Sequence, residues 1–425
     1  MGAPNNHTSG CKRRGAFLTT QSQQATPAIS FARLLGICMA ARFLVDTGIQ
    51  TFNPFLPIIA AGLGVDIVTM GRLLGVQNLV GLCSPALGAW AERRGYRLVM
   101  RLSLLAGALG FLLIGISRQL ATALLGMVLI GFCLAGFIPT LVAYLSARLP
   151  YARRARGLGI LEYSWALSGI VGMMVVGQLI AIGGWRVPFF LLTSGLLLMV
   201  FVFGALPAAR SDLAARAAIP AAATGSWLQS ARGLFDLGAH ARSAYSAIGA
   251  SMLNFVALMQ FNLAYGAWLS EQYGIGPVEL GTVAFLFGCF DLCGSVAVSL
   301  FTDRIGKRRS VLAGGGGALA GYAILPLFNV GLASAVVAFA VTRSFAEFFL
   351  VSIISLLSEQ APTQRAKVMT LNVAAMQIGF TVAGFSGPWL YTYYGVSGLA
   401  LCSFFVLLAG VAIVLLRVSE PGGEL

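Results

Sequence analysis

The chain has 425 residues, 58% of them hydrophobic and only 10% charged, with a mean hydropathy of +0.86, whereas a soluble domain carries roughly 25% charged residues. That balance excludes a water-soluble globular fold for most of the chain. The net charge of +14 would suit nucleic acid only if Lys and Arg gathered on one accessible face; they stand instead in short clumps between apolar runs, and no nucleic-acid partner is expected.

In chain order, residues 1–30 are polar and read as a cytoplasmic tail. The apolar run after Arg33 meets Arg42 and Asp46 before any cleavage site could end it, which argues against a cleaved signal peptide. A helix crossing about 30 Å of hydrocarbon needs roughly 20 apolar residues. Runs near 31–60, 69–90, 98–117, 120–147, 157–183 and 187–206 supply six spans, the first bundle at 31–206. The polar, Ala-rich stretch 207–242 reads as a cytoplasmic linker. Runs near 243–270, 279–301, 310–328, 332–357, 368–392 and 397–416 supply a second bundle at 243–417, followed by a tail at 418–425. No residue between Lys367 and Arg417 is charged; that stretch is too long for one span, and Tyr394-Gly395 supplies the turn. The fold class expected is all-α and polytopic, with twelve transmembrane helices in two six-helix bundles.

The seven cysteines lie mostly inside apolar runs without paired metal or disulfide spacing, and His7 and His240 fall in polar segments. Neither a metal site nor a cofactor is expected. Basic residues near helix ends stay on the cytoplasmic side. With the N-terminus inside, only Arg72, Arg118 and Arg186 fall outside and only Arg42 and Arg343 within spans; all other Lys and Arg fall inside. Both termini are therefore expected to be cytoplasmic, in a multi-pass protein of the plasma (inner) membrane, and a monomer in its lipid bilayer.

An internal repeat runs through three loops. Glu92-Arg93-x-Gly95-x-Arg97 matches Asp303-Arg304-x-Gly306-x-Arg308 at a shift of 211, which also carries Arg154-Ala155-Arg156 onto Arg365-Ala366-Lys367 and Gly184 onto Gly395. Equal shift with equal orientation implies two parallel halves related by an axis along the membrane normal, enclosing a site at their interface.

The stretch from Gly88 through Glu92, Arg93, Arg94, Gly95, Tyr96 and Arg97 resembles the signature that major facilitator superfamily transporters carry between helices two and three. Gly183-Gly184-Trp185-Arg186-Val187-Pro188-Phe189-Phe190 and Pro54-Phe55-Leu56-Pro57 are similar to the bacterial efflux branch, which includes drug/proton antiporters and sugar-efflux permeases. Tyr96 stands where the signature is usually basic, and span five lacks the antiporter Gly-Pro pair. The resemblance implies a gating role for Gly88, Glu92, Arg93, Gly95, Arg97, Asp303, Arg304, Gly306 and Arg308: Gly88 would admit a neighbouring helix, and Glu92 with its arginines would latch the cytoplasmic side.

Ionisable groups at the centre of a span are costly unless paired or wet, and are candidate functional residues. Arg42, Asp46, Gln50 and Asn53 recur at helical spacing along one stripe of span one, which should face a polar cavity. Asp291 lies 12 residues from Asp303, roughly 18 Å along a helix, and Arg343 and Glu347 sit similarly deep in span ten. Glu162 is about one turn from its loop, where a gating role suits it. Asp46, Asp291 or Glu347 is expected to carry a coupling proton, while Arg42 or Arg343 holds a carboxylate or an anionic substrate. The competing expectation is that Arg42–Asp46 and Arg343–Glu347 are structural pairs at i, i+4. Gln77, Asn78, Asn254, Gln260, Asn262, Tyr265, Asn372 and Gln377 could line the same cavity or bridge helices.

The function expected is a secondary active transporter working by alternating access, with a small-molecule substrate and protons as the coupling ion, exporting an amphipathic drug-like or sugar-like compound. The alternatives are an uptake symporter, a uniporter, or a non-transporting sensor or assembly factor with this fold. No enzyme motif is seen.

Overall fold

In a computed structural model of the chain, the described residues are 31–148, 151–206, 235, 237, 241–360 and 364–419. The elements in order are α1 (Phe31–Gln50), α2 (Phe52–Leu63), α3 (Ile67–Val80), α4 (Ser84–Arg94), α5 (Tyr96–Ile116), α6 (Leu120–Arg148), α7 (Tyr151–Leu167), α8 (Met173–Gly183), α9 (Val187–Ala205), α10 (Ala241–Tyr273), α11 (Pro277–Ile305), α12 (Lys307–Ile324), α13 (Leu332–Gln360) and α14 (Arg365–Arg417). Among the described residues every regular element is helical. The expected tail at 1–30, most of the linker at 207–242 and residues 420–425 lie outside the described residues.

Among the described residues ten helices are long and apolar enough to cross a bilayer. Helices α1 and α2 run end to end, with the Thr51 amide donating to the Thr47 carbonyl at 3.0 Å, and make one further span. Helix α14 breaks at Gly395, whose φ of 62° and ψ of −165° are non-helical, and counts as two. The spans therefore number twelve, in two sets of six, as the hydropathy runs predicted. Span two is α3 and α4 joined through a 3₁₀ turn, and span five is α7 and α8 joined through a π-helical turn at Ser168–Gly172.

Turn glycines make the repeat visible in the backbone. Gly95 and Gly306, 211 residues apart, have φ of 101° and 94° with ψ of 134° and 144°. Gly184 and Gly395, the same distance apart, have φ of 82° and 62°. A left-handed φ is strained for any residue with a Cβ, so each half reuses the same turn residue where one span reverses into the next. At the opposite reversal of span one, the Asp66 carboxylate accepts from the Thr69 amide at 3.2 Å and caps α3. That bond holds the carboxyl below its ordinary range.

Among the described residues, the close glycine contacts between the two halves lie toward the end away from the Lys and Arg clusters and reach mid-span. A Cβ added at Gly71 would lie 2.5 Å from the Gly384 carbonyl and 2.6 Å from Pro388, and one at Gly177 would lie 2.6 Å from the Pro277 carbonyl. Likewise a Cβ at Gly281 would meet the Met173 carbonyl at 2.8 Å, and one at Gly266 would meet the Pro54 carbonyl at 2.1 Å. Span two thus lies on span eleven, five on eight and one on seven, backbone against backbone, as small-residue helix interfaces allow. All of these contacts fall in the halves of the spans remote from the basic loops.

At the basic end the contacts expected of the signature are not made among the described residues. A Cβ at Gly88 would meet nothing within 4 Å, so no helix packs on it. Glu92 and Arg93 are exposed, and Glu92 has no ion-pair partner among the described residues. Arg97 donates to the Leu206 carbonyl at 2.6 Å and Arg308 to the Leu415 carbonyl at 2.8 Å, each within its own half, and Lys307 pairs with Glu359. Arg304 is exposed, and the Asp303 side chain lies outside the described residues. The reason is geometric: Arg97, Lys307 and Arg308 each find an acceptor within their own half.

Gly71→Leu should therefore prop open the sealed end. Spin labels on Asp66→Cys and Thr392→Cys, in a background lacking the native cysteines, should move apart in Gly71→Leu and keep their separation in Gly88→Leu.

Candidate functional site

Two buried charge clusters sit in the two halves. In the first, Arg42 is about 7% exposed and its two terminal nitrogens each donate to Glu162 at 2.8 Å, a bidentate fork from span one to span five. Behind the guanidinium, Arg42 Nε lies 3.4 Å from Asp46 Oδ2, whose carboxylate is fully buried. The Ser164 hydroxyl donates to the same Asp46 oxygen at 2.5 Å. One turn further, Gln50 donates to the Trp165 carbonyl at 2.9 Å. The first three members of the predicted stripe therefore pack along span five; only Gln50 and Asn53 reach open space.

In the second cluster Arg343 donates to both oxygens of Asp291 and to Asn262. The rings of Phe287 and Phe339 lie 5.1 and 5.7 Å from its guanidinium carbon, so its faces are covered as well as its edges. Glu347 accepts from Ser295 at 3.2 Å. The i, i+4 reading thus holds for Arg42–Asp46 as a secondary contact and fails for Arg343–Glu347, where Asp291 takes the arginine. Glu162, expected to serve a gate near its loop, is instead the main partner of Arg42. An arginine fork needs a carboxylate presented edge-on, which a residue on a neighbouring helix provides better than one on the next turn of its own.

Between the clusters, where the halves diverge, lie two small cavities. One of about 40 Å³ is lined by residues including Gln50, Asn53, Asn262, Tyr265, Asp291 and Arg343. The other, of about 80 Å³, is lined by residues including Gln50, Trp165, Gly169, Asp291, Ser295 and Glu347. They share Gln50, Gly169, Gly288 and Asp291, and one water needs only about 10–15 Å³. Both halves contribute to each cavity. The structure brings together Gln50, Asn53, Tyr265, Asp291, Arg343 and Glu347, and leaves Arg42 and Asp46 off the lining. Asn254 is buried and donates to the Ala346 carbonyl at 3.3 Å, outside both cavities. A larger crevice of about 340 Å³, lined by Cys293, Gly294, Phe301 and Phe348 among others, is apolar and lies on another face of spans eight and ten.

Sequence reasoning passed over Ser164, Ser295 and Trp165. Small hydroxyls are common in membrane helices as packing residues, and only their neighbours' charge marks these two. It also passed over the π-helical turn at Ser168–Gly172, which carries Gly169 into both cavities; such turns often mark functional positions.

Twelve spans in two halves related by a constant shift, with a polar interfacial cavity, define a polytopic membrane transporter. The family model described as Major Facilitator Superfamily matches residues 38–235 and 246–425, and the chain belongs to that family. It is 30% identical over 184 residues to "Multidrug resistance protein MdtG" of Serratia proteamaculans, covering 42% of this chain and 44% of that protein; the match thus spans less than half of that relative. Against the MFS-type transporter YceJ of Bacillus subtilis it is 24% identical over 359 residues, 82% of this chain and 87% of that one. Among solved structures, a D-xylose-proton symporter superposes with a TM-score of 0.70 at 16% identity, covering 92% of this chain and 98% of that chain. A bacterial homologue of the lysosomal transporter Spinster, solved inward-facing and unoccupied, gives a TM-score of 0.66 at 15% identity, covering 90% and 94%. These likenesses show a shared fold.

The clusters differ in what their loss should cost. Arg343→Gln leaves Asp291 beside a buried void and should lower stability by about 3 kcal/mol. Glu162, whose side chain is 62% exposed, is screened by water, so Glu162→Gln should cost about 1 kcal/mol or less. Thermal unfolding of the two purified variants in detergent checks the order.

Proposed function

We propose that the chain is a proton-coupled secondary transporter that exports an amphipathic small molecule across the bacterial inner membrane, with its basic end and both termini in the cytoplasm. The observation that supports this best is the one-sided seal: glycine contacts join the halves toward one end, and on the basic side of the cavities Trp165 and Glu162 are exposed. On the positive-inside rule the open end is cytoplasmic, and the conformation is inward-facing. Rocking the halves about the cavities would open the opposite end, which is alternating access.

The charges support coupling. The two clusters hold two guanidiniums, Arg42 and Arg343, against four carboxylates, Asp46, Glu162, Asp291 and Glu347. Arg42 is bonded chiefly to Glu162 and Arg343 to Asp291, which leaves Glu347 with the Ser295 hydroxyl and Asp46 with the Ser164 hydroxyl and only a secondary contact to Arg42 Nε. A change in the solvation of these two carboxylates as the halves rock would load and release the proton. The multidrug-resistance designation of the MdtG relative supports an amphipathic cargo and the outward direction.

Reconstitution in liposomes with an internal pH dye tests the reading. Adding lipophilic cations, organic anions or sugars under a pH gradient should evoke proton flux with at least one class. Asp46→Asn and Glu347→Gln should each reduce that flux at least tenfold. Unchanged flux in both variants would remove these carboxylates from coupling.

A further inference from the structure

The two buried arginines are held in opposite ways. Arg343 is saturated: Asp291 takes Nε and one terminal nitrogen, Asn262 takes the other, and two rings cover its faces. A ligand has no edge left to approach. Arg42 is fixed only from behind. Asp46 stands 3.4 Å from its Nε, is fully buried, and is held in turn by Ser164. Both terminal nitrogens point forward to Glu162, whose side chain is 62% exposed while that of Arg42 is 7% exposed. The anchoring carboxylate cannot leave without abandoning a buried charge, and the forward one can turn into water.

Glu162 also faces the right place. It precedes Ala166 by four residues and Gly169 by seven, positions that share one face of a helix, and both line the cavity of about 80 Å³. Trp165 on the same lining is 45% exposed and Leu292 opposite is 41% exposed, so apolar surface lies near the fork.

We propose that Arg42 is the receptor for the carboxylate of an anionic amphipathic substrate, and that Glu162 is an internal stand-in occupying the place of the substrate's two oxygens. The guanidinium fork matches a planar two-oxygen anion in its bidentate geometry. Exchange of one carboxylate for another leaves the local charge as it was, with one anion in front of the guanidinium before and after. The substrate's apolar body then lies against Trp165 and Leu292. This inference rests on the transport reading above and names its substrate class. The competing role for the pair is a clamp between spans one and five, which belong to the same half.

Binding to the purified full-length protein in detergent decides between them, with radiolabelled decanoate as probe and decanol and decyltrimethylammonium as neutral and cationic competitors. Decanoate should bind saturably and be displaced by neither competitor at equal concentration. Glu162→Gln removes the internal ligand and should bind decanoate about tenfold more tightly. Arg42→Gln should lose binding at least tenfold, and Arg42→Lys, which keeps the charge without the fork, should fall between. Gel filtration and circular dichroism establish folding; if Arg42→Gln does not fold, the Glu162→Gln gain still decides. A folded Glu162→Gln protein that binds decanoate no better than the parent, decanoate that fails to bind at all, or displacement by decyltrimethylammonium would overturn the proposal and leave the pair a clamp. A gain in Glu162→Gln without proton flux in liposomes would remove proton coupling and leave the anion site standing.

Discussion

A guanidinium in hydrocarbon must be matched by a carboxylate, and the arrangement around Arg42 and Arg343 follows from that requirement. An unpaired charge at mid-membrane costs several kcal/mol, so each arginine fixes the rotation of its own helix and of the helix carrying its partner. Arg42 ties span one to span five through Glu162, and Arg343 ties span ten to span eight through Asp291. Each tie lies within a single half. Neither is strained when the halves change angle, so each half can move as a rigid body around the cavities between them.

The seal between the halves obeys a different rule. Spans two and eleven, five and eight, and one and seven meet where glycines allow backbone to touch backbone. Such contacts gain dispersion energy over a large area without directional bonds, so they can separate and reform without leaving a buried polar group unpaired. Charges hold each half together and small apolar residues hold the halves to each other. That division suits a molecule whose halves must part while their interiors stay intact.

Much of this was legible in the sequence. The apolar runs gave all twelve spans, because a bilayer needs about 20 apolar residues per crossing and little else produces them. Residues Gly95 and Gly306, and Gly184 and Gly395, declared the repeat at a constant shift, because only glycine takes the left-handed turn those positions adopt. The site was legible in membership and illegible in pairing. Helical spacing places Arg42 above Asp46 and Arg343 above Glu347, and a single helix offers no further guidance. Which neighbouring helix supplies the better-oriented carboxylate depends on rotations that only packing sets. For that reason Glu162 read as a loop-proximal residue when it is the principal partner of Arg42. The state of the signature at Glu92 was equally unreadable, since a latch is a property of one conformation and a sequence encodes all of them.

The asymmetry between the clusters is the last step. The repeat relates the backbones of the halves, yet the arginine sits in the first span of one half and in the fourth span of the other, positions the shift of 211 does not exchange. The polar interior is therefore not repeated between the halves, although their turn glycines are. Symmetry serves rocking, because matched halves need matched hinges. Asymmetry separates the four carboxylates: Glu162 and Asp291 take the arginine forks, while Asp46 holds Ser164 and the side of Arg42, and Glu347 holds Ser295. A structure with the same pairs in both halves would hold all four carboxylates alike.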